Sequence, residues 1–313
     1  MTNFQIYLKE YLKAYWLRPV TALWRALEAE LLNFDKCKPK GRKSMELACG
    51  DGINSFIASG GKVPIIFDAF ESVVEISSKE FYIKKTDIYD SYDKDVYNNV
   101  IFPNDIKFDY GIDHKNNLIK KARILNMYNE LIVLDLNKDL PNEDSSVDFI
   151  FSNSIYWIEN IDHCLSEINR VLSSRGVCKF IIIKDRFIDN TLWKKLGKYK
   201  FKQFLDMGRH KHYKQLRSCE EWDYLFKKAG LKIKNKLPIV NDNLAHMVEF
   251  HDLREISPVT ASMAAKLDDK NLIETKNKWI DYYYFLFNEM YKDKFLVATE
   301  QNSNYYIYNV IKG

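Results

Sequence analysis

The chain has 313 residues, 46% of them hydrophobic and 14% aromatic, enough for one large domain or two modest ones with a full core. Its 47 basic and 43 acidic residues leave a formal net charge of +4 with the basic residues scattered, which excludes the electrostatic footprint of a nucleic-acid-binding protein. Five cysteines (37, 49, 164, 178, 219) form no C-x-x-C pair, Lys9 and Glu10 break any leading signal-peptide pattern, and no run approaches the roughly 20 apolar residues of a membrane span, so a reduced, cytoplasmic protein without zinc is expected.

Residues 3–16 place Phe4, Tyr7, Leu8, Tyr11, Leu12, Tyr15 and Trp16 at helical spacing, with Lys9, Glu10 and Lys13 on the other face. Pro19 suits the first turn of a second helix, which carries Leu23, Trp24, Leu27 and Leu31 to about Leu32. Lys36 to Lys43, with Pro39 and Gly41, reads as a solvated linker. Residues 44–52, Ser-Met-Glu-Leu-Ala-Cys-Gly-Asp-Gly, read as a short apolar strand turning through glycines into a helix near Asn54. Gly50 and Gly52 accept positive φ and let a ligand approach the backbone, and such a strand–turn–helix points N–H groups above the sheet.

Glu46-Leu-Ala-Cys-Gly-Asp-Gly52 resembles the first motif of the class I S-adenosylmethionine-dependent methyltransferases, a D/E-h-x-x-G-x-G pattern, with Ala48 where the first glycine usually stands. The resemblance implies an α/β, Rossmann-like fold: a seven-stranded, mostly parallel sheet with an antiparallel last strand, an N-terminal helical lid and insertions. It implies S-adenosyl-L-methionine as cofactor, Glu46 helping to hold its methionine end, and the backbone of Ala48, Cys49, Gly50, Asp51 and Gly52 lying against it. In small-molecule members such leading helices form a lid, which makes Tyr11, Tyr15, Trp16 and Trp24 candidate pocket walls; on pattern alone they are core cover. Arg18 and Arg25 are candidate contacts for an anionic substrate.

Two acids compete for the ribose hydroxyls, which need a bidentate acceptor at the end of the second strand, about 20 residues beyond the glycines. Asp68, ending Val63-Pro-Ile-Ile-Phe67, has that spacing. Phe108-Asp-Tyr-Gly-Ile-Asp113, followed by Leu118, Ala122 and Leu125, is the better match to the family's second strand and its G-x-D; Asp113 is preferred, with His114 beside it. That choice makes 62–107 an insertion. Leu131 to Asp135 reads as a third strand, whose acid meets the adenine amino group in the resembled family, with Leu136 flanking the ring. Leu140-Pro141 and Val147-Asp-Phe-Ile-Phe-Ser-Asn153 resemble the family's fourth-strand signature. Asn153 then sits at the mouth of the sheet, orienting a substrate group or capping a turn. Tyr156 and Trp157 wall the acceptor pocket or belong to the core.

Asp162 is expected to cap a helix through Leu172. Its Glu167-Ile-Asn-Arg-Val-Leu172 and Arg175-Gly176 resemble the family again, with Arg170 structural. A strand over 177–183, a polar and aromatic lid segment over 187–212, and a capping box Ser218-Cys-Glu-Glu221 opening a helix stopped by Gly230 follow. A strand over 231–239, an unpatterned stretch over 240–276, an aromatic helix over 279–291 and a final strand over 304–312 complete the chain. The expected division is a helical cap over 1–35, a cofactor-binding core over 36–239 carrying the insertion 62–107, and lid helices with the last core strand over 240–313.

Transfer of a methyl group from a sulfonium is an in-line displacement that mainly needs two reactants held close; a hydroxyl acceptor also needs a general base. His210 and His212 fall in the segment expected over the substrate and are the base candidates, with Asn153 as a further catalytic candidate; exposed loop histidines are the alternative. His246 and His251 are spaced i, i+5, which does not stack them on one helix face, so no metal is expected. The expected activity is methylation of a small-molecule acceptor, at a hydroxyl of a sugar, lipid or secondary-metabolite precursor, with no nucleic-acid partner, no membrane span and the oligomeric state open. The rivals are a non-catalytic cofactor-binding subunit and a nicotinamide-dependent oxidoreductase; Gly50-x-Gly52-x-x-Ser55 lacks the third glycine of the dinucleotide fingerprint.

Overall fold

The computed structural model describes residues 2–34, 41–69, 107–190, 192–198, 215–251 and 257–313. The chain opens with two helices, α1 (Asn3–Ala14) and α2 (Pro19–Leu32). Thr2 and Gln5 close a capping box on α1, and α2 starts on Pro19 and stops where Asn33 turns left-handed at φ 45. The β1 strand (Ser44–Leu47) and α3 (Ile53–Ala58) flank the glycine turn. Then come β2 (Phe108–Asp113), α4 (Asn116–Ile124), β3 (Tyr128–Val133), β4 (Val147–Ser152) and a 3-10 turn (Ile155–Trp157). They are followed by α5 (Ile161–Val171), β5 (Leu172–Ile183), α6 (Arg186–Asp189), α7 (Leu192–Lys195) and α8 (Cys219–Lys228). The chain closes with β6 (Leu231–Asn241), α9 (Asp242–His251), α10 (Ser257–Ala264), α11 (Asp269–Lys292) and β7 (Ser303–Lys312).

All seven strands form one sheet in the order β3-β2-β1-β4-β5-β7-β6. The pairs among β1 to β5 are parallel, and β7 runs antiparallel between β5 and β6. This is the expected α/β architecture. The strand order reverses between β1 and β4, and the crevice outside the carboxyl ends of strands at such a point is where ligands bind in open α/β sheets.

Aromatic side chains clamp the helices to the sheet. Phe34, just past α2, meets Phe108, Phe149 and Phe151 edge-on, Trp24 meets Tyr305 edge-on at 4.5 Å, and Lys179 Nζ donates to the Leu32 carbonyl. Trp222 and Phe226 of α8 are fully buried, and the Phe226 ring stacks on Phe180. The α1 helix packs on α2, α3 and α11, with Phe4 stacked on Tyr291 at 4.1 Å. Among the described residues no helix is long and apolar enough to cross a membrane.

Several local expectations are corrected. Val63 to Phe67 is not a strand; it runs as turns and irregular chain against α1, where Lys13 Nζ donates to the Val63 carbonyl and the Val63 N–H donates to Glu10. The third strand begins at Tyr128 and ends at Val133, so Asp135 lies beyond it. Asn160, not Asp162, caps α5 by accepting the His163 N–H, because the helix starts one residue earlier than Asp162. Leu172 leaves α5 with extended backbone and opens β5. The aromatic helix begins ten residues before Trp279, at Asp269, where the Asp268 carboxylate accepts the Asn271 N–H. The Ser218–Glu221 capping box forms as read.

Candidate cofactor and acceptor site

Between β1 and α3 the backbone coils through three left-handed residues, Ala48 (φ 52), Gly50 (φ 59) and Gly52 (φ 77). A Cβ on Gly52 would press on the Tyr128 ring at 3.2 Å, whereas one on Gly50 would meet no protein atom within 4 Å. The turn is therefore packed on one side and open on the other. Ala48 holds a conformation that costs an L-residue about 1 kcal/mol.

Asp113 ends β2 beside this turn and is 5% exposed. Its Oδ2 accepts the Gly50 N–H at 3.0 Å and its Oδ1 the Lys115 N–H at 2.8 Å, so two backbone donors fix the carboxylate at the rim of the cradle. Glu46 lies below, 2% exposed, its Oε2 accepting the Tyr128 hydroxyl at 2.8 Å. Burial pushes the Glu46 carboxyl up to about 8, and Asp51 and Asp113 add to the rise. Asp51, which accepts the Ile53 N–H, is also raised by burial, with Lys121 pulling the other way. The cradle thus gathers three carboxyl groups, Glu46 and Asp113 buried and Asp51 half-buried. With Glu46 raised to about 8 it is largely protonated at neutral pH, and a ligand bearing positive charge would favour its ionised form. The donor set fits a cofactor with a sulfonium and an ammonium group.

The remaining expected residues are placed as follows. The Cys49 N–H donates to the Ile112 carbonyl and its thiol is raised by burial. His114 is exposed next to Asp113. Asp135 sits in the loop after β3, its carboxyl lowered chiefly by the Asn137 N–H, and Leu136 is buried. Asn153, directly after β4, accepts from the Ser154 hydroxyl at 2.9 Å. Tyr11 and Tyr15 of α1 reach α3, donating to the Asn54 carbonyl and to Asn54 Oδ1. Tyr156 is buried with its ring 4.6 Å from that of Trp157. Asp68 is instead tied to the turn after α1, accepting the Trp16 indole N–H at 2.7 Å, and has no sheet position. His246 is engaged with the Asn190 carbonyl, and among the described residues no group of three His, Cys, Asp or Glu could hold a metal. His210 and His212 lie outside the described residues.

Two contributors, Tyr128 and Glu28, escaped the sequence reading, and the glycine of the expected G-x-D gains a packing reason. Tyr128, 82 residues from Glu46 in the chain, supplies the hydrogen bond to its carboxyl. Gly111 is needed because a Cβ there would lie 2.6 Å from the Tyr128 ring, which explains the glycine of Gly111-Ile-Asp113. Glu28 of α2 is 3% exposed and lines a small cavity shared with Asn54, Ser55 and Asn153.

Residues 103–180, from just before β2 into β5, match the family model described as a methyltransferase domain. Solved structures of similar fold include a SAM-dependent methyltransferase from Aquifex aeolicus (14% identity, 67% of this chain and 83% of that chain, TM-score 0.41). A TehB-like SAM-dependent methyltransferase from Corynebacterium glutamicum is similar at 13% identity (92% of this chain, 88% of that chain, TM-score 0.42). So is geranyl diphosphate C-methyltransferase from Streptomyces coelicolor A3(2) in complex with Mg2+, geranyl diphosphate and S-adenosyl-L-homocysteine (12% identity, 96% of this chain, 85% of that chain, TM-score 0.44). Comparison with curated protein sequences found no match. The matched stretch thus covers β2 to β5 of a seven-stranded α/β sheet whose first strand leads into the glycine cradle, and the cradle's residues fit S-adenosylmethionine.

Proposed function

We propose that this protein methylates a small molecule, at a hydroxyl of a sugar, lipid or secondary-metabolite precursor, within a chamber between the glycine cradle and the two N-terminal helices. The observation that carries the reading is the carboxyl cluster of Glu46, Asp51 and Asp113 around an open left-handed turn, with Tyr11 and Tyr15 reaching Asn54 on its α3 side. The cofactor supplies an electrophilic methyl on a positively charged sulfur. On this reading Glu46 and Asp51 balance that charge, Asp113 takes the ribose hydroxyls, and Asp135 and Leu136 take the adenine. Asn153, Tyr15, Tyr156 and Trp157 line the acceptor side, which excludes water and holds the acceptor in line with the carbon–sulfur bond. An acceptor side built of aromatic side chains suits a small molecule rather than a polymer.

The test is release of S-adenosylhomocysteine on incubation with a panel of methyl glycosides, polyols, phenols and matched amines. Turnover on hydroxyl acceptors supports the proposal. Turnover confined to the amines, or to nucleic acid, contradicts it.

A further inference from the structure

The cavity beside the cradle is bounded by α2, α3 and the ends of β4 and β5, with Tyr11, Glu28, Asn54, Ser55, Phe151 and Asn153 among its walls. It is small, about 10 Å³, which is room for one oxygen-sized group. Most of its walls are apolar, yet one polar atom in them, Glu28 Oε1, is buried without a hydrogen-bond partner, while the Ser55 side chain interacts with Glu46. Glu28 Oε2 is held by Arg25 Nη1 at 2.6 Å, so the carboxylate is anchored on one oxygen and bare on the other. The Trp24 indole N–H lies close enough to favour the ionised carboxylate but makes no hydrogen bond. An unmet buried carboxylate oxygen costs free energy unless something else binds it, and such groups in native structures call for an explanation.

We infer that Glu28 is the proton acceptor of the reaction, its Oε1 taking the hydrogen of the acceptor hydroxyl that enters this cavity, with Arg25 as the positioning residue. The inference rests on the methyl-transfer reading above. In the step, the acceptor oxygen forms a bond to the methyl carbon as the carbon–sulfur bond breaks. The bonding pair stays on sulfur, which becomes a neutral thioether, and the hydroxyl proton passes to Glu28 Oε1. The products are a methyl ether, the demethylated cofactor and a protonated Glu28 that returns its proton to solvent. Ser55 and Asn153 line the same cavity.

The titratable groups around Glu28 are Arg25 on its own helix and Tyr11 of α1; Tyr11 also feels Glu46 of β1, and Arg25 also feels Tyr15 of α1 and Tyr156 of the 3-10 turn. Burial pushes the Glu28 carboxyl up, opposed by the Arg25 guanidinium. A purely structural Arg–Glu pair is the competing explanation.

The test compares wild type with Glu28→Gln, Glu28→Asp and the double variant His210→Ala/His212→Ala. S-adenosylhomocysteine affinity by calorimetry reports folding and the cradle. Turnover and its pH profile are read on the methyl glycoside that wild type uses best. The expected result is that Glu28→Gln binds S-adenosylhomocysteine within about twofold of wild type, loses roughly 10²–10⁴-fold in kcat with little change in KM, and no longer shows the acid limb of the kcat profile. Glu28→Asp should recover part of the loss. If Glu28→Gln keeps kcat and the acid limb, or if the histidine variant removes the limb and Glu28→Gln does not, Glu28 is not the base. Failure of wild type to bind S-adenosylhomocysteine would instead remove the reading on which the inference rests.

Discussion

On the proposed reading Asp113 takes both ribose hydroxyls, so replacing it by Ala should weaken cofactor binding. Hydrogen bonds to a charged group contribute about 1.5–3 kcal/mol each. Taking the low end for two of them gives about 3 kcal/mol, or roughly 100-fold in Kd. The same carboxylate also satisfies the Gly50 and Lys115 N–H groups, so the variant should lose on the order of 2 kcal/mol of stability as well. Asp113→Asn separates the two effects: it keeps one acceptor oxygen and should cost about tenfold in affinity with a smaller loss of stability. Asp68→Ala is the matched control. It breaks the bond from the Trp16 indole after α1 and should cost about 1 kcal/mol of stability while leaving affinity within about twofold. Calorimetry with S-adenosylhomocysteine, run well below each variant's melting temperature, measures all three. Equal affinity losses at Asp113 and Asp68, or a larger loss at Asp68, would refute the reasoning.

Glu46 makes cofactor binding proton-linked. Its folded carboxyl is raised to about 8 from an ordinary 4.5, so folding favours the protonated form; its contribution to stability is full below about 4.5 and is lost as pH rises through 8. A cationic ligand reverses this preference, so S-adenosylmethionine should displace up to about one proton near neutral pH, measured by calorimetry in buffers of different ionisation enthalpy, and Glu46→Gln should abolish the release. Gly50→Ala adds a Cβ that meets no protein atom within 4 Å, so it should cost only about 1–2 kcal/mol of stability from its φ of 59 but weaken S-adenosylhomocysteine more than tenfold by filling the open side of the turn. Ala48→Gly relieves the left-handed strain at φ 52 and should raise stability by about 1 kcal/mol in chemical denaturation.

Elements with local signals were readable from the sequence. The first two helices follow from apolar spacing and from Pro19, and the eighth helix from the Ser218–Glu221 box, because caps and periodicity act within a few residues. The cradle was readable because its glycines must be left-handed. Choosing Asp113 needed the family resemblance, since a long segment replaces the usual spacing and Val63 to Phe67 imitates a strand without being one. Residues 242–264 gave no pattern because α9 and α10 are not strongly two-sided, so their placement depends on the rest of the fold. Tyr128 and Glu28 stayed hidden for a different reason. Each acts through partners brought together only by the folded sheet, Tyr128 on Glu46 and Glu28 on a cavity shared with Asn153, and no spacing in the chain records such contacts.

The most direct measurement is calorimetric titration of the purified chain with S-adenosylmethionine and, in parallel, with a nicotinamide dinucleotide. One equivalent of S-adenosylmethionine bound, with no heat from the dinucleotide, is the expected result, because a sulfonium favours ionisation of the Glu46 carboxyl whereas a pyrophosphate opposes it. Tight binding of the dinucleotide without binding of S-adenosylmethionine would contradict it.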